Sequence, residues 1–201
     1  MVKIKLKKTI FFIISGPSGA GEDSVIEGLK DKIKFERVVT TVTRKKREGE
    51  REGSPYYFIS RKKFESMIKK DAFTEWAEVY GDYRGATKKE IARLIKKKVL
   101  ALWKVDFQGV EFIKKNMPGV LAVLIMPPSL KVLEKRLIRR KTDTPETIKK
   151  RIPFTKKWLR QKDNYDYTVM NKENKLEETI EEVLDILLKN LEKSESIDFL
   201  E

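Results

Sequence analysis

A glycine-rich turn between a buried strand and a helix is the feature that most constrains this fold. Residues 9–15 are mainly β-branched or aromatic, which predicts a buried strand directly before the turn. Residues 24–33 follow it with apolar side chains at helical spacing, which predicts a helix. The turn itself reads Gly16-Pro17-Ser18-Gly19-Ala20-Gly21.

The rest of the chain continues to alternate between strand and helix. Apolar strands are predicted at 37–43, 99–105, 120–126 and 167–170, with amphipathic helices between and after them. Such alternation is typical of an α/β fold in which helices flank both faces of a parallel sheet. Residues from about 38 to 86 break the alternation and are richer in strand, so we expect a small lobe inserted into the core.

Composition limits the chemistry that is available. Hydrophobic residues make up 40% of the 201 residues, which is enough for a real core and excludes wholesale disorder. The chain has no Cys and no His, which excludes thiol catalysis, an imidazole base and Cys or His metal ligands. A metal ion would need oxygen ligands, as Mg²⁺ prefers.

The charge balance points to an anionic partner. Lys and Arg number 45 against 31 Asp and Glu, so the formal charge is +14. Nucleotides, nucleic acid and a membrane surface all fit this charge. Nucleic acid is disfavoured because the cations are spread along the chain without a recognition motif. The apolar run that ends at Ile14 is too short to span a bilayer, so we expect a cytoplasmic protein with no membrane partner.

The glycine turn has the layout of a phosphate-binding loop, but its last positions depart from the usual pattern. Backbone N–H groups of such a loop and the following helix N-terminus converge on phosphate oxygens. The usual Lys and Ser/Thr after the last glycine are replaced here by Glu22 and Asp23, and Ser24 offers a hydroxyl one residue later. An ordinary glycine-rich turn with an acidic helix start is the competing interpretation, because acids are favourable at helix N-termini.

The presence of Glu22 where the usual pattern has a lysine has a large electrostatic consequence for phosphate binding. A unit charge about 4 Å from a phosphate is worth up to ~4 kcal/mol at a near-surface effective dielectric. An anion in place of a cation at this position weakens the binding free energy of the phosphate by several kcal/mol if nothing compensates. The change at Asp23 is milder, since a carboxylate is a competent Mg²⁺ ligand.

Several further motifs, in order, resemble those of guanylate kinases. The resemblance runs from about residue 10 to residue 188, nearly the whole chain. Its motifs are Thr43 to Glu50 with Gly53, Tyr56 and Phe58, Phe73 to Glu78 with Gly81 and Tyr83, Val105 to Val110, Pro127 to Ser129, Arg136 with Arg140, Thr142 and Arg151, and Tyr165 to Asn171.

The resemblance implies the fold of a phosphate-loop nucleoside monophosphate kinase in a single domain. Its core is expected at about 9–37, 87–130 and 163–191, its GMP-binding lobe at about 38–86 and its helical lid at about 131–162. The family reaction transfers the γ-phosphoryl group of ATP to GMP, with Mg²⁺ as cofactor. ATP and GMP are therefore the expected partners, and the sequence gives no oligomeric state.

Carried over residue by residue, the resemblance assigns the acceptor site. A phosphate monoester is well matched by Arg side chains and a Tyr hydroxyl, and the N1 and N2 edge of guanine presents donors to a carboxylate. The GMP-binding residues are Thr40, Arg44, Arg47, Tyr56, Glu75, Arg84 and Asp106, of which Glu75 and Asp106 face guanine.

The same resemblance assigns the donor and transfer sites. Phosphoryl transfer needs positioning and positive charge rather than a His base. The expected ATP-binding residues are Gly16, Ser18, Gly19, Ala20, Gly21, Glu22, Asp23, Ser24 and Asn171, with Mg²⁺ at Asp23 and Ser24. The expected catalytic cations are Lys104, Arg136, Arg140 and Arg151.

Further departures from the family pattern lead to a hypothesis of exchanged charges. Arg84 replaces a Tyr that helps to hold the GMP phosphate, Ala86 replaces a hydroxyl that contacts guanine, and Lys172 replaces an acid. Lys104 replaces an acid two residues before Asp106, on the same face of a strand. The hypothesis is that Lys104 reaches the β,γ-phosphates in place of the missing loop lysine. The competing hypothesis is that Lys104 pairs with Glu22 and seals a dead site.

Other functions stay open at this stage. A catalytically silent guanylate-kinase-like binding module is the main alternative, motivated by the altered loop. Ala86 motivates a kinase for another nucleoside monophosphate, against which Glu75 and Asp106 argue.

Overall fold

The structure is a computed structural model that describes most of the chain. The described residues are 4–140, 148, 153, 155, 156, 158, 160–194 and 197–199. Arg151, one of the expected catalytic cations, lies outside them, and so does much of the expected lid.

A five-stranded parallel sheet forms the core. Its apolar strands lie between two layers of helices, which explains why they are almost continuously hydrophobic. This arrangement confirms the predicted fold class. In spatial order the strands are β11 (Tyr167–Met170), β10 (Leu121–Met126), β2 (Ile10–Ser15), β9 (Leu100–Trp103) and β3 (Glu36–Arg37).

The two faces of the sheet carry separate hydrophobic clusters. Phe12 and Ile14 of β2 point to one face, and Phe11 and Ile13 point to the other, as the period of a strand requires. Helices α1 (Glu22–Leu29) and α6 (Leu176–Lys193) cover the first face, and α3 (Lys88–Lys97) and α4 (Phe107–Asn116) cover the second.

A second sheet of five strands is built from the inserted segment. Its strands β4 and β6 are parallel, whereas β8 pairs antiparallel with both β4 and β7. The helix α2 (Arg61–Lys69) places Phe64 against the rings of Phe73 and Tyr83. In spatial order the strands are β5 (Arg51–Glu52), β6 (Pro55–Phe58), β4 (Thr40–Val42), β8 (Asp82–Thr87) and β7 (Phe73–Val79).

The remaining elements lie at the chain ends and near the expected lid. Helix α5 (Leu130–Arg139) packs Leu133 and Leu137 against Ile148. A 3-10 helix at Lys162–Asn164 precedes β11, and β1 (Ile4–Leu6) pairs antiparallel with β12 (Ile197–Phe199). Among the described helices, none combines the length and apolar character needed to cross a membrane. The division into core, lobe and lid stays a prediction.

The structure corrects two details of the predicted strands. The strand predicted at 37–43 is split: β3 ends at Arg37 in the core sheet and β4 begins at Thr40 in the second sheet. The chain turns between them because the Val38 N–H bonds to Leu102 O and the Val39 N–H bonds to the Glu90 carboxylate. Strand β8 was not predicted, because its polar, glycine-containing sequence lacks apolar alternation.

A buried hydrogen-bond chain joins the end of β2 to the residues beyond α5. Ser15 Oγ donates to Val105 O at 2.8 Å, and Tyr165 Oη lies 3.0 Å from Ser15 Oγ. Trp158 Nε1 donates to Tyr165 Oη at 2.9 Å. All of these groups are buried, so each depends on the others to replace lost water.

We expect Tyr165→Phe to lower the free energy of unfolding by about 1–3 kcal/mol, because it leaves buried polar groups of Ser15 and Trp158 without this partner. Tyr167→Phe is the matched control. Its hydroxyl bonds the half-buried Asn190 at 3.0 Å, so we expect a loss of only about 0.5–1 kcal/mol. Urea unfolding monitored by circular dichroism measures both, and equal losses would contradict the network.

Candidate functional site

Three neighbouring strands of the core sheet end at one edge and bring the phosphate loop together with two cations. Strand β2 leads into the loop at Gly16, β9 is followed by Lys104, and β3 ends at Arg37. Because these strands are parallel, their carboxyl ends meet, and this edge is where open α/β sheets bind ligands. The sequence predicted the loop and Lys104 at this edge but not Arg37.

The loop is fixed by Asn171, which was expected to bind ATP, and by Arg136, which was expected as a catalytic cation. Ala20 O accepts hydrogen bonds from Asn171 Nδ2 at 2.7 Å and from an Arg136 guanidinium nitrogen at 3.3 Å. Gly21 has φ +104°, and a Cβ there would lie 2.2 Å from Asn171 Nδ2. Glycine is therefore required at this position both by its backbone conformation and by the close approach of Asn171.

A carboxylate reaches back to the loop at Glu22, the first residue of α1. Glu22 Oε2 accepts a hydrogen bond from the Gly21 N–H at 3.1 Å, so the side chain engages one of the loop amides. Only 7% of Glu22 is exposed. Burial raises the pKa of this carboxyl, although the nearby Lys104 opposes the shift.

Asp23 lies between two cations. Its Oδ2 is 2.5 Å from Lys104 Nζ, and its Oδ1 is 2.6 Å from an Arg37 guanidinium nitrogen. Burial alone would favour the neutral acid, but Lys104 and Arg37 together hold the pKa of Asp23 well below its usual range. Burial likewise disfavours the ammonium of Lys104, yet Glu22, Tyr56 and Asp23 raise its pKa, so Lys104 is charged at neutral pH.

The contact between Lys104 and the loop acids agrees with both hypotheses for this site. Lys104 Nζ lies 3.6 Å from Glu22 Oε1 and closer to Asp23. A charge exchange and a sealed site both predict such proximity, so the two hypotheses differ only in what the cation does when a phosphate arrives.

All of the residues expected to bind GMP except Glu75 line a cavity of about 320 Å³ on one side of these acids. Arg44 forms hydrogen bonds of 2.7 and 2.5 Å with the Glu50 carboxylate, and its guanidinium lies 5.0 Å from the centre of the Tyr56 ring. Burial opposes the charge on Arg44, but Glu50 raises its pKa. The expected residues lining this cavity are Thr40, Arg44, Arg47, Tyr56, Arg84 and Asp106.

Glu75 and Asp106 form a buried acidic pair, of which Asp106 lines this cavity and Glu75 does not. Glu75 Oε1 accepts from the Ala86 N–H at 3.1 Å, and Asp106 caps α4 by accepting from Gln108 N–H and Gly109 N–H. Burial, with the neighbouring Asp106, raises the pKa of Glu75 to about 8. Burial also raises the pKa of Asp106. Perturbed pKa values of this kind are typical of functional sites, and the ionised form of each carboxyl can accept hydrogen bonds from N–H donors of a ligand.

Arg84 lies near both acids with an unsatisfied donor. Its Nε is buried and has no hydrogen-bond partner among the described residues. Its charge opposes the raised pKa values of Glu75 and Asp106. Arg84 and Ala86 share one face of β8, and Ala86 lies opposite Glu75 in the register.

A second cavity of about 580 Å³ opens on the other side of the loop acids. It is lined by Gly19, Gly21, Ser24 and Asn171, which were expected to bind ATP, and by Arg136, which was expected as a catalytic cation. Glu22, Asp23 and Arg140 line both cavities, so they mark the boundary at which the two meet.

Most of the expected site residues are thus brought together around two adjoining cavities. Gly16 and Ser18 line the first cavity, and Ala20 holds Asn171 and Arg136 below the loop. Arg151 is outside the described residues. The sequence analysis missed Arg37 because the strand predicted at 37–43 begins with it. In fact it ends a strand of the parallel sheet, the position at which ligand-binding residues are expected.

The oxygen donors available for Mg²⁺ are few. Ser24 is exposed on the first turn of α1, beside the carboxylate of Asp23. Within the described ranges, no group of three or more His, Cys, Asp or Glu side chains could hold a metal ion by itself. The donors fit Mg²⁺ of the kind that is bound by one or two carboxylates together with substrate phosphates.

Comparison with known proteins gives a consistent assignment. The guanylate kinase family model matches residues 8–190. A guanylate kinase of Rickettsia prowazekii is 37% identical over 182 residues, covering 90% of this chain and 91% of the relative. One from Carboxydothermus hydrogenoformans is 37% identical over 167 residues, covering 83% of this chain and 82% of the relative.

A solved structure agrees with these relatives. The crystal structure of guanylate kinase from Anaplasma phagocytophilum superimposes with a TM-score of 0.74 at 28% identity, covering 93% of this chain and 88% of that one. The family model and the curated relatives extend over nearly the whole chain, and the chain belongs to the guanylate kinase family.

Proposed function

We propose that this protein transfers the γ-phosphoryl group of ATP to GMP, giving ADP and GDP. The observation that carries the proposal is the pair of adjoining cavities that share Glu22, Asp23 and Arg140. One cavity is lined by Asp106, a carboxylate suited to guanine, and the other is built around the phosphate loop. The transferred group crosses the boundary between them.

GMP binds in the cavity of about 320 Å³. Arg44, Arg47, Tyr56 and Thr40 hold its phosphate, since guanidinium and hydroxyl donors match phosphate oxygens. Glu75 and Asp106 accept hydrogen bonds from the N1 and N2 edge of guanine, and this recognition excludes adenine, which has no such donor edge. Arg84, with its unsatisfied Nε, supplies a further donor to the acceptor nucleotide.

ATP binds in the second cavity. The loop from Gly16 to Gly21, including Ser18, Gly19 and Ala20, cradles its phosphates, and Asn171 lies near the adenine. When bound, Mg²⁺ at Asp23 and Ser24 neutralises charge on the donor phosphates. Glu22 lies against the Gly21 N–H and gives up this contact when a phosphate enters the loop.

The transfer needs no proton acceptor from the protein. A phosphate oxygen of GMP attacks the γ-phosphorus, and the bond from that phosphorus to the β,γ-bridging oxygen breaks, leaving its electron pair on ADP. Positive side chains stabilise the charge spread over the transferring group. Arg136, Arg140 and Arg151 supply this charge, together with Lys104.

Lys104 takes the role of the missing loop lysine. The charge that the family places on the loop stands here at the end of β9, and the acid stands on the loop. The alternative is a catalytically silent guanylate-kinase-like module in which Lys104 and the loop acids stay paired. The contact of Glu22 with a loop amide is the observation that favours this alternative.

Direct product detection tests the proposed function. Purified protein with ATP, Mg²⁺ and GMP is expected to form GDP in step with ADP, as resolved by ion-exchange chromatography. AMP, UMP and dGMP in place of GMP measure the base preference, and we expect guanine nucleotides to give the highest rates. Tight GMP binding by calorimetry without any GDP would instead support the silent module.

A reciprocal charge swap tests the exchange. Glu22→Lys alone sets two ammonium groups together and Lys104→Glu alone sets three acids together, so we expect each to lower the rate of GDP formation about 10²-fold or more. The double variant recreates the opposite pairing, and we expect it to recover to within about tenfold of the wild type. The exposed pair Arg61 and Glu65, swapped in the same way, is the control and should leave the rate unchanged. A double variant no faster than the slower single variant would exclude the exchange.

The raised pKa of Glu75 predicts a pH dependence for GMP binding. Without ligand, the Glu75 carboxyl has a pKa of about 8. Guanine N–H donors need its ionised form, so GMP binding below this pH releases a proton. We expect the affinity to rise by up to about tenfold per pH unit from about pH 6.5 to 8 and then to level off. Calorimetry at several pH values measures this slope.

Two variants separate Glu75 from the other titrating groups, including the phosphate of GMP. Glu75→Gln should bind GMP more weakly and lose the part of the pH dependence of GMP affinity that comes from Glu75. Glu78→Gln, on the exposed face of the same strand, should keep the wild-type slope. An unchanged slope in Glu75→Gln would show that another group carries the pH dependence.

A further inference from the structure

We propose that Arg37 is a second catalytic cation of the phosphoryl-transfer site, acting beside Lys104 on the transferring phosphoryl group. This inference rests on the proposed function and adds a residue that the family motifs do not assign. It begins from an arrangement in which one carboxylate, Asp23, is bound by two cations at once.

The sheet topology places Arg37 at the centre of the chemistry. Strand β3 is the edge strand of the core sheet and lies parallel to β9, with Arg37 paired to Leu102 in the register. Lys104 follows two residues after Leu102. The two cations therefore extend from neighbouring strand ends towards the same point, which is the start of α1 after the phosphate loop.

The position within the cavities assigns both cations to the point of transfer. Arg37 and Lys104 line the acceptor cavity and not the donor cavity, whereas Asp23 lines both. A γ-phosphoryl group that moves from donor to acceptor passes Asp23. The first side chains it meets on the acceptor side are the two cations that Asp23 holds.

The way in which the two cations share Asp23 favours a role beyond a structural ion pair. Asp23 carries one negative charge and contacts two positive groups, so one cation is not neutralised by it. Among the described residues, Lys104 also lies 3.6 Å from the Glu22 carboxylate, whereas Arg37 shares Asp23 with Lys104 and pairs with no other carboxylate. A phosphoryl group, with charge on several oxygens, can contact the fork of Arg37 and the ammonium of Lys104 together.

Asp23 then acts as a positioning residue for both cations. In the absence of phosphate it holds Arg37 and Lys104 side by side against their mutual repulsion. The Arg37 side chain is only 18% exposed, so this contact keeps the guanidinium inside the cavity instead of in solvent. The phosphoryl group replaces Asp23 as a partner of the cations during transfer.

The test compares Arg37→Met and Arg37→Lys with Arg93→Met. Arg93 is the matched control because it also forms ion pairs at β3, at 2.7 Å from Glu36, but lines neither cavity. We expect Arg37→Met to lower kcat about 10²-fold or more while KM for GMP changes less than about threefold. Arg37→Lys keeps the charge but loses the paired N–H donors of the guanidinium, so its kcat should lie between those of Arg37→Met and the wild type. Arg93→Met should keep the wild-type kcat.

A binding measurement separates this inference from the proposed function. Adenosine-pentaphosphate-guanosine, in which a phosphate chain joins the two nucleosides, spans both cavities and requires no turnover. We expect Arg37→Met to weaken its binding at least about tenfold by calorimetry, against less than about threefold for GMP alone. If the wild type forms no GDP, the proposed function fails and this comparison still decides whether Arg37 binds the phosphate chain.

Other outcomes would overturn the inference. A kcat for Arg37→Met within threefold of the wild type would do so, and so would unchanged affinity for the bisubstrate. Thermal unfolding checks that each variant is folded. Should Arg37→Met fail to fold, Arg37→Lys provides the same measurements, and wild-type values for both in that variant would also count against the inference.

Discussion

The ion-pair cluster around Asp23 is the interaction on which the rest of the site depends. Three strands of one parallel sheet end at this cluster, and each contributes a charge or the loop that precedes one. Removing one partner from such a cluster leaves an uncompensated charge, which costs more than the pair itself contributes. The edge of the sheet, the first turn of α1 and the boundary between the two cavities are therefore held in one arrangement by the same few contacts.

Much of this fold could be predicted from the sequence because the core strands are apolar and the glycines after the first of the apolar core strands have the spacing of a phosphate-binding loop. The parallel sheet and the helices on both of its faces follow from the periodicity of apolar residues, and the structure has both. Strand β8 could not be predicted in this way. Its sequence lacks the apolar alternation of a strand, and it forms one because β4 and β7 pair with it.

The candidate site shows the same division between local and long-range information. Family motifs assigned Glu75, Asp106 and Arg44, since each lies in a recognisable segment. Arg37 carries no local signal, because its importance comes from Asp23, which is distant in sequence and meets it only through the order of the strands. The same limit applied to the predicted strand at 37–43, where a buried Glu90 carboxylate draws the Val39 N–H out of the core sheet.

The proposed exchange of charges between loop and strand is consistent with how each element tolerates a charge. A helix N-terminus favours an acid by about 0.3–1 kcal/mol, so Glu22 and Asp23 are accommodated at the start of α1. A lysine at the end of β9 is anchored on a strand with neighbours on both sides, whereas a loop lysine depends on the loop for its position. In the proposed exchange, a cation on the strand gives up one contact from the loop and gains a rigid attachment, and Arg37 on the next strand would contact the same phosphate.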